Sequence, residues 1–330
     1  MRRFLRWICL IAALCILPAA ILARRVLPVD TQALVEKKYD GWSGVLRAWV
    51  YSDWSCESSF IRWLDRCAEK FERDHDGVYL EFAFVEARDL NELYSADVPP
   101  PELVFFSPGA MRSAARMTNG VPASGVRAGL QIDSRAVPVA MGGYICVCNP
   151  SAETQSFVIP PDRADAVSYI IEETPAEIPL PTEESGVDLG LPALAQTGYA
   201  VSETAFEDFV DGKIMRTVVT QKELSRLTAL KDSGRGSDWK CEISGTRTLC
   251  DQLLLAAIPE TDPEREEIAR AFVEHLLREE SQTALASIGA FGVTDAVVYP
   301  EFSAYAPMET LLRTRSALVP AAFGDAREFR

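Results

Sequence analysis

Apolar positions follow two periods along this chain. Val45-Leu46-Arg47-Ala48-Trp49-Val50-Tyr51 runs as a strand. Phe60, Trp63, Leu64, Cys67, Ala68 and Phe71 then fall at i, i+3, i+4, i+7, i+8 and i+11, which is one stripe of an α-helix. Ser52-Asp53-Trp54-Ser55 joins the two, with Ser55 placed to cap the helix and Gly77 placed to end it. Val78 to Val85 predicts a second strand, and Arg88 to Tyr94 a short helix stopped by Pro99-Pro100-Pro101. Glu102 to Phe106 predicts a third strand, and Ser107-Pro108 opens a further helix with proline in its first turn. Alternating strands and helices of this kind imply a parallel sheet covered by helices. In such sheets ligands bind beyond the carboxyl ends of the strands, here Tyr51 to Trp54 and Ser107 to Gly109.

Further along, residues 136–140 and 144–148 read as strands. Residues 150–205 are rich in Pro, Glu and Thr; Phe157 to Ile159 predicts a strand and Ala164 to Ile171 a helix. A helix ending at Val210, a strand over 213–219 and a helix over 221–230 come next. Thr248 to Ile258 is an apolar run that Pro259 closes. Thr261-Asp262-Pro263-Glu264 starts another helix, with Ile268, Phe272 and Leu276 on one of its faces. A last helix over 282–288 ends at Gly289.

The N-terminus departs from these periods. Trp7 to Ala23 is apolar throughout, broken only by Pro18, with Arg2, Arg3 and Arg6 before it and Arg24 and Arg25 after it. It reads as a cleaved signal segment or an uncleaved membrane anchor. The anchor is the preferred reading, because Ile21 and Arg24 make a poor cleavage site after Ala23 and the segment nearly reaches the ~20 residues that span a bilayer. Both readings place residues 30 onward on the extracytoplasmic face of the cell membrane, secreted if the segment is cleaved. Five of the 33 basic residues and one of the 48 acidic residues fall in the first 30, which leaves 28 and 47 and a net charge of −19 for the body. Such a body is poorly matched to nucleic acid or to anionic lipid.

Eight cysteines are present, two of them (Cys9 and Cys15) in the apolar segment. Cys56 and Cys67 are too far apart along one helix to bridge, and Cys146 and Cys148 share a strand face. Cys241 and Cys250 are the pair best placed for a disulfide. No cysteine spacing matches a zinc site.

Four stretches, in order across some 250 residues, resemble the extracellular solute-binding proteins of ABC importers, of the maltose-binding type. They are Leu46 to Phe71; Pro101-Glu102-Leu103-Val104-Phe105; Val137-Pro138 with Tyr144 to Asn149; and a C-terminal set. That set comprises Phe209 to Met215, Ala271 to Leu277, Gln282 and Gly289-Ala290-Phe291-Gly292-Val293, where Gly292 stands in place of the family's proline. The resemblance implies an α/β fold of two lobes joined by crossover strands, with the solute held between them. It implies lobe 1 at 45–138 plus 250–296 and lobe 2 at 139–249 plus 297–330, after a membrane segment at 1–29 and a linker at 30–44. The second lobe is expected to be shortened between Asn149 and Phe206. The implied partners are a small-molecule solute, with a carbohydrate expected, the importer's permease subunits, and the membrane through the N-terminal segment. No cofactor is implied.

Candidate ligand-binding residues are Asp53, Trp54, Ser107, Tyr144, Trp239 and Arg247. Aromatic faces stack on sugar rings, and carboxylates and guanidinium groups bond hydroxyls. Each has a plainer alternative: Asp53 and Ser107 as helix caps, Trp54, Tyr144 and Trp239 as packing, Arg247 as a solvated charge. Catalysis finds little support. His75 and His275 are the only histidines, and no nucleophile elbow, P-loop or dinucleotide fingerprint occurs. Two other readings stay open at this level: a tethered sensor or assembly scaffold that has lost transport, and an envelope hydrolase.

Overall fold

The computed structural model describes residues 41–52, 54–56, 58–85, 100–111, 116–131, 133–163, 199–234, 238–242, 247–297, 306 and 316–323. The apolar N-terminal segment, the helices expected at 88–94 and 164–171, and Asp53 lie outside these residues. No helix among the described residues is long and apolar enough to cross a membrane.

The elements in chain order are β1 (Gly44–Val50), α1 (Phe60–Asp74), β2 (Val78–Phe84), β3 (Leu103–Phe106), β4 (Ala136–Met141), β5 (Tyr144–Cys148) and β6 (Thr154–Ile159). A 3₁₀ turn at Pro161–Arg163 is next, then β7 (Tyr199–Val201), α2 (Ala205–Val210), β8 (Ile214–Thr220), α3 (Gln221–Asp232), β9 (Lys240–Glu242) and β10 (Arg247–Leu249). The chain continues with β11 (Leu253–Ala257), α4 (Pro263–Leu276), α5 (Glu279–Thr283), a 3₁₀ turn at Ala284–Ile288, and β12 (Ser316–Leu318).

Among the described residues these strands form two five-stranded mixed sheets, β2-β1-β3-β11-β4 and β7-β6-β8-β5-β9, and a two-stranded parallel sheet, β10-β12. In the first, β1 lies parallel to β2 and β3, and β11 runs antiparallel to β3 and β4. In the second, β6 is parallel to β7 and β8, and β5 is antiparallel to β8 and β9. The chain leaves the first sheet after Met141 and enters the second at Tyr144; it leaves the second after β9 and rejoins the first at Leu253. The two crossings touch, since Gly142 N–H donates to the Gln252 carbonyl at 2.7 Å. A Cβ on Gly142 would stand 2.3 Å from Gln252 Oε1 and 2.9 Å from Gln221 Nε2, so any side chain here would have to push these two amides aside.

The helical stripe of α1 is buried as its spacing predicts, and Trp63 Nε1–H donates to the Ser281 carbonyl at 2.9 Å. The helix starts later than Ser55. Ser59 is its cap, accepting from Ile61 N–H at 3.2 Å, because Trp54 and Ser55 are tied to the crossings instead. The helix expected at Ser107-Pro108 is a turn over Pro108–Ala110. Gly109 takes φ +76 there and donates its N–H to Ala322 at 3.0 Å, which diverts the backbone toward the C-terminal segment. The start of α4 matches its sequence: Asp262 accepts from Arg265 N–H at 3.0 Å, and Pro263 occupies the first turn. β12 pairs with β10, and beyond it Phe323, assigned from sequence to the second lobe with the rest of 297–330, lies against the first sheet. Phe323 meets Phe106 at a ring separation of 5.5 Å, and Arg135 covers the Phe323 ring.

Gln282 is fully buried. Its Nε2 donates to the Val139 and Leu276 carbonyls, and its Oε1 accepts from Val293 N–H at 2.7 Å. Gly292 sits in this net with Val297 Cγ2 only 2.8 Å from where a Cβ would be, a contact that leaves no room for a larger residue. None of the six described cysteines is in a disulfide, Cys241 and Cys250 included. The pair expected to bridge is therefore two free thiols: Cys250 is sealed beneath the crossing, and Cys241 lies in β9.

Candidate functional site

A cleft of about 810 Å³ opens where the chain passes between the sheets. Its lining comes from five places: Trp54, Ser55 and Pro108 beyond the carboxyl ends of β1 and β3; Tyr144, Asp251 and Gln252 at the crossings; Asp162 and Arg163 after β6; the cleft-facing residues of α3 and its cap; and Pro320 after β12. This is where a parallel-rich α/β sheet is expected to hold a ligand.

Trp54 is half-buried. Its indole N–H donates to the Leu253 carbonyl at 3.0 Å, and its ring meets Phe60 edge-on at 4.8 Å, so the side chain is held in one orientation at the cleft wall. Tyr144 is buried, and its hydroxyl donates to Asp251 Oδ2 at 3.3 Å. Burial, then the Asp251 carboxylate, push the phenol pKa far above its usual range, so it stays a neutral donor. Gln252 Oε1 is buried without a hydrogen-bond partner among the described residues.

The opposite wall is built on α3. Thr220 caps it through a reciprocal box: Glu223 N–H donates to Thr220 Oγ1, and Thr220 N–H donates to Glu223 Oε2. Glu223 is further claimed by Arg163, whose Nη1 and Nη2 donate to its two oxygens at 2.5 and 2.9 Å, while Nη1 also donates to the Val218 carbonyl at 2.8 Å.

The structure brings Trp54 and Tyr144 together in the cleft. Ser107 is fully buried behind Pro108. Trp239 lies outside the lining, half-buried, with Lys231 over its ring. Arg247 contributes its backbone to the pairing of β10 with β12, and its side chain is outside the described residues. The lining residues that sequence reading missed are Asp162, Arg163, Asp251, Gln252, Pro320 and those of α3. The last carried a signal: Gln221, Leu224 and Leu227 are the buried face, which leaves Lys222, Ser225, Arg226 and Ala229 as the opposite stripe. Arg163 gave none, since its partner stands 60 residues away. Among the described residues no group of His, Cys, Asp or Glu is arranged to hold a metal ion.

The two sheets, their double crossing and the cleft between them define the fold of the periplasmic solute-binding proteins of ABC importers, maltose-binding type. No protein-family model matches the sequence, and no curated protein matches it. Among solved structures, maltose-bound MalE3 of T. maritima superposes with a TM-score of 0.60 at 13% identity, over 86% of this chain and 90% of that one. Apo RafE from Streptococcus pneumoniae gives 0.58 at 16% identity, over 84% and 88%. The GacH receptor of Streptomyces glaucescens, solved also with acarbose, gives 0.55 at 12%, over 86% and 89%.

Proposed function

We propose that this chain is an extracytoplasmic carbohydrate-binding protein that takes its solute into the cleft and delivers it to the permease subunits of an ABC importer. Residues 7–23 would tether it to the membrane. The observation that carries the reading is the cleft itself: an aromatic pair, Trp54 and Tyr144, fixed at the crossing of two sheets and ringed by hydrogen-bonding groups. A ring stacked on an indole, with hydroxyls bonded by amides and carboxylates, is how such a cleft holds a sugar. Structural neighbours bound to maltose, raffinose and acarbose support that class of solute. The volume suits a mono- to oligosaccharide, since ligand pockets run from about 300 to 1,000 Å³. In this reading the chain binds and releases, and catalyses nothing.

A thermal-shift panel of mono-, di- and trisaccharides tests it. A concentration-dependent rise in Tm with at least one sugar is expected, because a ligand that binds only the native state stabilises it. If amino acids, polyamines or metal ions raise Tm and no sugar does, the carbohydrate assignment fails.

A further inference from the structure

The charges on the α3 wall narrow the solute further, on the premise that it is a carbohydrate. Lys222, Ser225, Arg226 and Ala229 fall at i, i+3, i+4 and i+7, one face of the helix, and all four line the cleft. Lys222 is exposed and has no ion-pair partner among the described residues. Arg226 is exposed too; its one ion pair among those residues is with the solvent-facing Glu207 at 3.5 Å, and its guanidinium rests over Phe206. Such a surface pair adds little and leaves most of the guanidinium donors unspent.

Of the acids of this wall, Glu223 is engaged and Asp162 faces solvent beside Arg163. Glu223 accepts from both Arg163 nitrogens and closes the helix cap. Asp162 stands 3.7 Å from Arg163 Nε, whose N–H makes no hydrogen bond among the described residues although Arg163 is only 8% exposed. The N-terminal turn of α3, a 12-residue helix, adds its partial positive charge on the same side. The wall across from it is aromatic and polar, with Asp251 held at the hydroxyl of Tyr144.

We infer that the solute is a carbohydrate bearing an anionic substituent, with its ring against Trp54 and Tyr144 and its charged group toward Lys222 and Arg226. A carboxylate, a sulfate and a phosphate share this chemistry, and the ligand set separates them.

Calorimetric titration of the full chain, in a detergent without a sugar headgroup, compares matched ligands: glucuronate, glucose 6-phosphate and glucose 6-sulfate against glucose, and digalacturonate against galactobiose. The acidic member of at least one pair should bind about tenfold or more tightly, the scale of one charge-assisted hydrogen bond. That preference should shrink with added salt. Lys222→Gln with Arg226→Gln should remove it and leave the circular-dichroism spectrum and Tm unchanged, since both side chains are exposed. A neutral sugar that binds as tightly as its acidic counterpart overturns this inference and leaves the carbohydrate reading standing. Binding of citrate or glutamate with no sugar of either kind overturns both. An acidic preference untouched by the double substitution overturns the assignment to α3.

Discussion

In the first sheet β3, β4 and β11 bury every residue; in the second, β6 and β9 leave nearly all of theirs half or fully open. α1 and α4 pack together over the first, Phe71 against Phe272 at 5.2 Å, and its β3, β4 and β11 read as continuous apolar runs, as strands buried on both faces do. The second keeps its burial to β5, β8 and the inner faces of α2 and α3, and its most closely held polar contact is the Arg163–Glu223 pair. The first therefore acts as the packed body that fixes Trp54 and Pro108. The second supplies the polar groups that face them across the cleft. What a substitution costs should depend on which side it falls.

The sharpest contrast is in packing. Phe272 is fully buried between Phe71, Phe82 and His275, and Phe272→Ala should destabilise by about 3–5 kcal/mol in urea unfolding. Val158→Ala on half-buried β6 should cost about 1 kcal/mol. Equal costs would break the comparison. Next comes the second sheet's ion pair. Glu223→Ala strands the buried Arg163 and opens the α3 cap, and should cost about 3 kcal/mol, which places this unit's stability in one polar contact.

A smaller effect belongs to pH and to the first unit. His275 is buried among Phe71 and Phe272 with its Nε2 unbonded among the described residues; burial, then Arg278, hold its pKa below the ordinary 6.5. The native state keeps this imidazole neutral at a pH where the unfolded chain has protonated it. Unfolding thus takes up a proton, and stability present above pH 6.5 is lost as pH falls through the depressed native value. Tm measured from about pH 7.5 down to about 5.5 should fall, and His275→Gln should flatten that slope. Smallest of all is the effect of reductant. Burial pushes the Cys67 and Cys241 thiols up to about 11 and Cys250 to about 12, and none of the six described cysteines is in a disulfide, so dithiothreitol should leave Tm unchanged.

The same contrast explains what the sequence could show. Wherever burial is periodic the elements are readable: the α1 stripe, the Asp262-Pro263 start, β8 running into α3. Short-range pattern fails where a distant partner decides. Ser55 looks like a cap, but its carbonyl accepts from Gln221, 166 residues on. Ser107-Pro108 looks like a helix start, but Gly109 bonds to Ala322. The cleft was legible in half. Trp54 leaves the carboxyl end of β1, where a positional rule points to it, and Tyr144 stands near the crossover that the resemblance implies. Arg163, Asp251 and Gln252 become site residues only once the chain has crossed between the sheets.

The central claim is that a solute binds in this cleft against Trp54. Calorimetry with whichever carbohydrate raises Tm, on the native chain, Trp54→Ala and Trp239→Ala, tests it most directly. Both variants lose an indole, but only the first loses a cleft wall. The account predicts one-to-one binding that survives Trp239→Ala and falls at least about tenfold in Trp54→Ala, the loss of a stacked ring. Binding that persists in Trp54→Ala and vanishes in Trp239→Ala would contradict it.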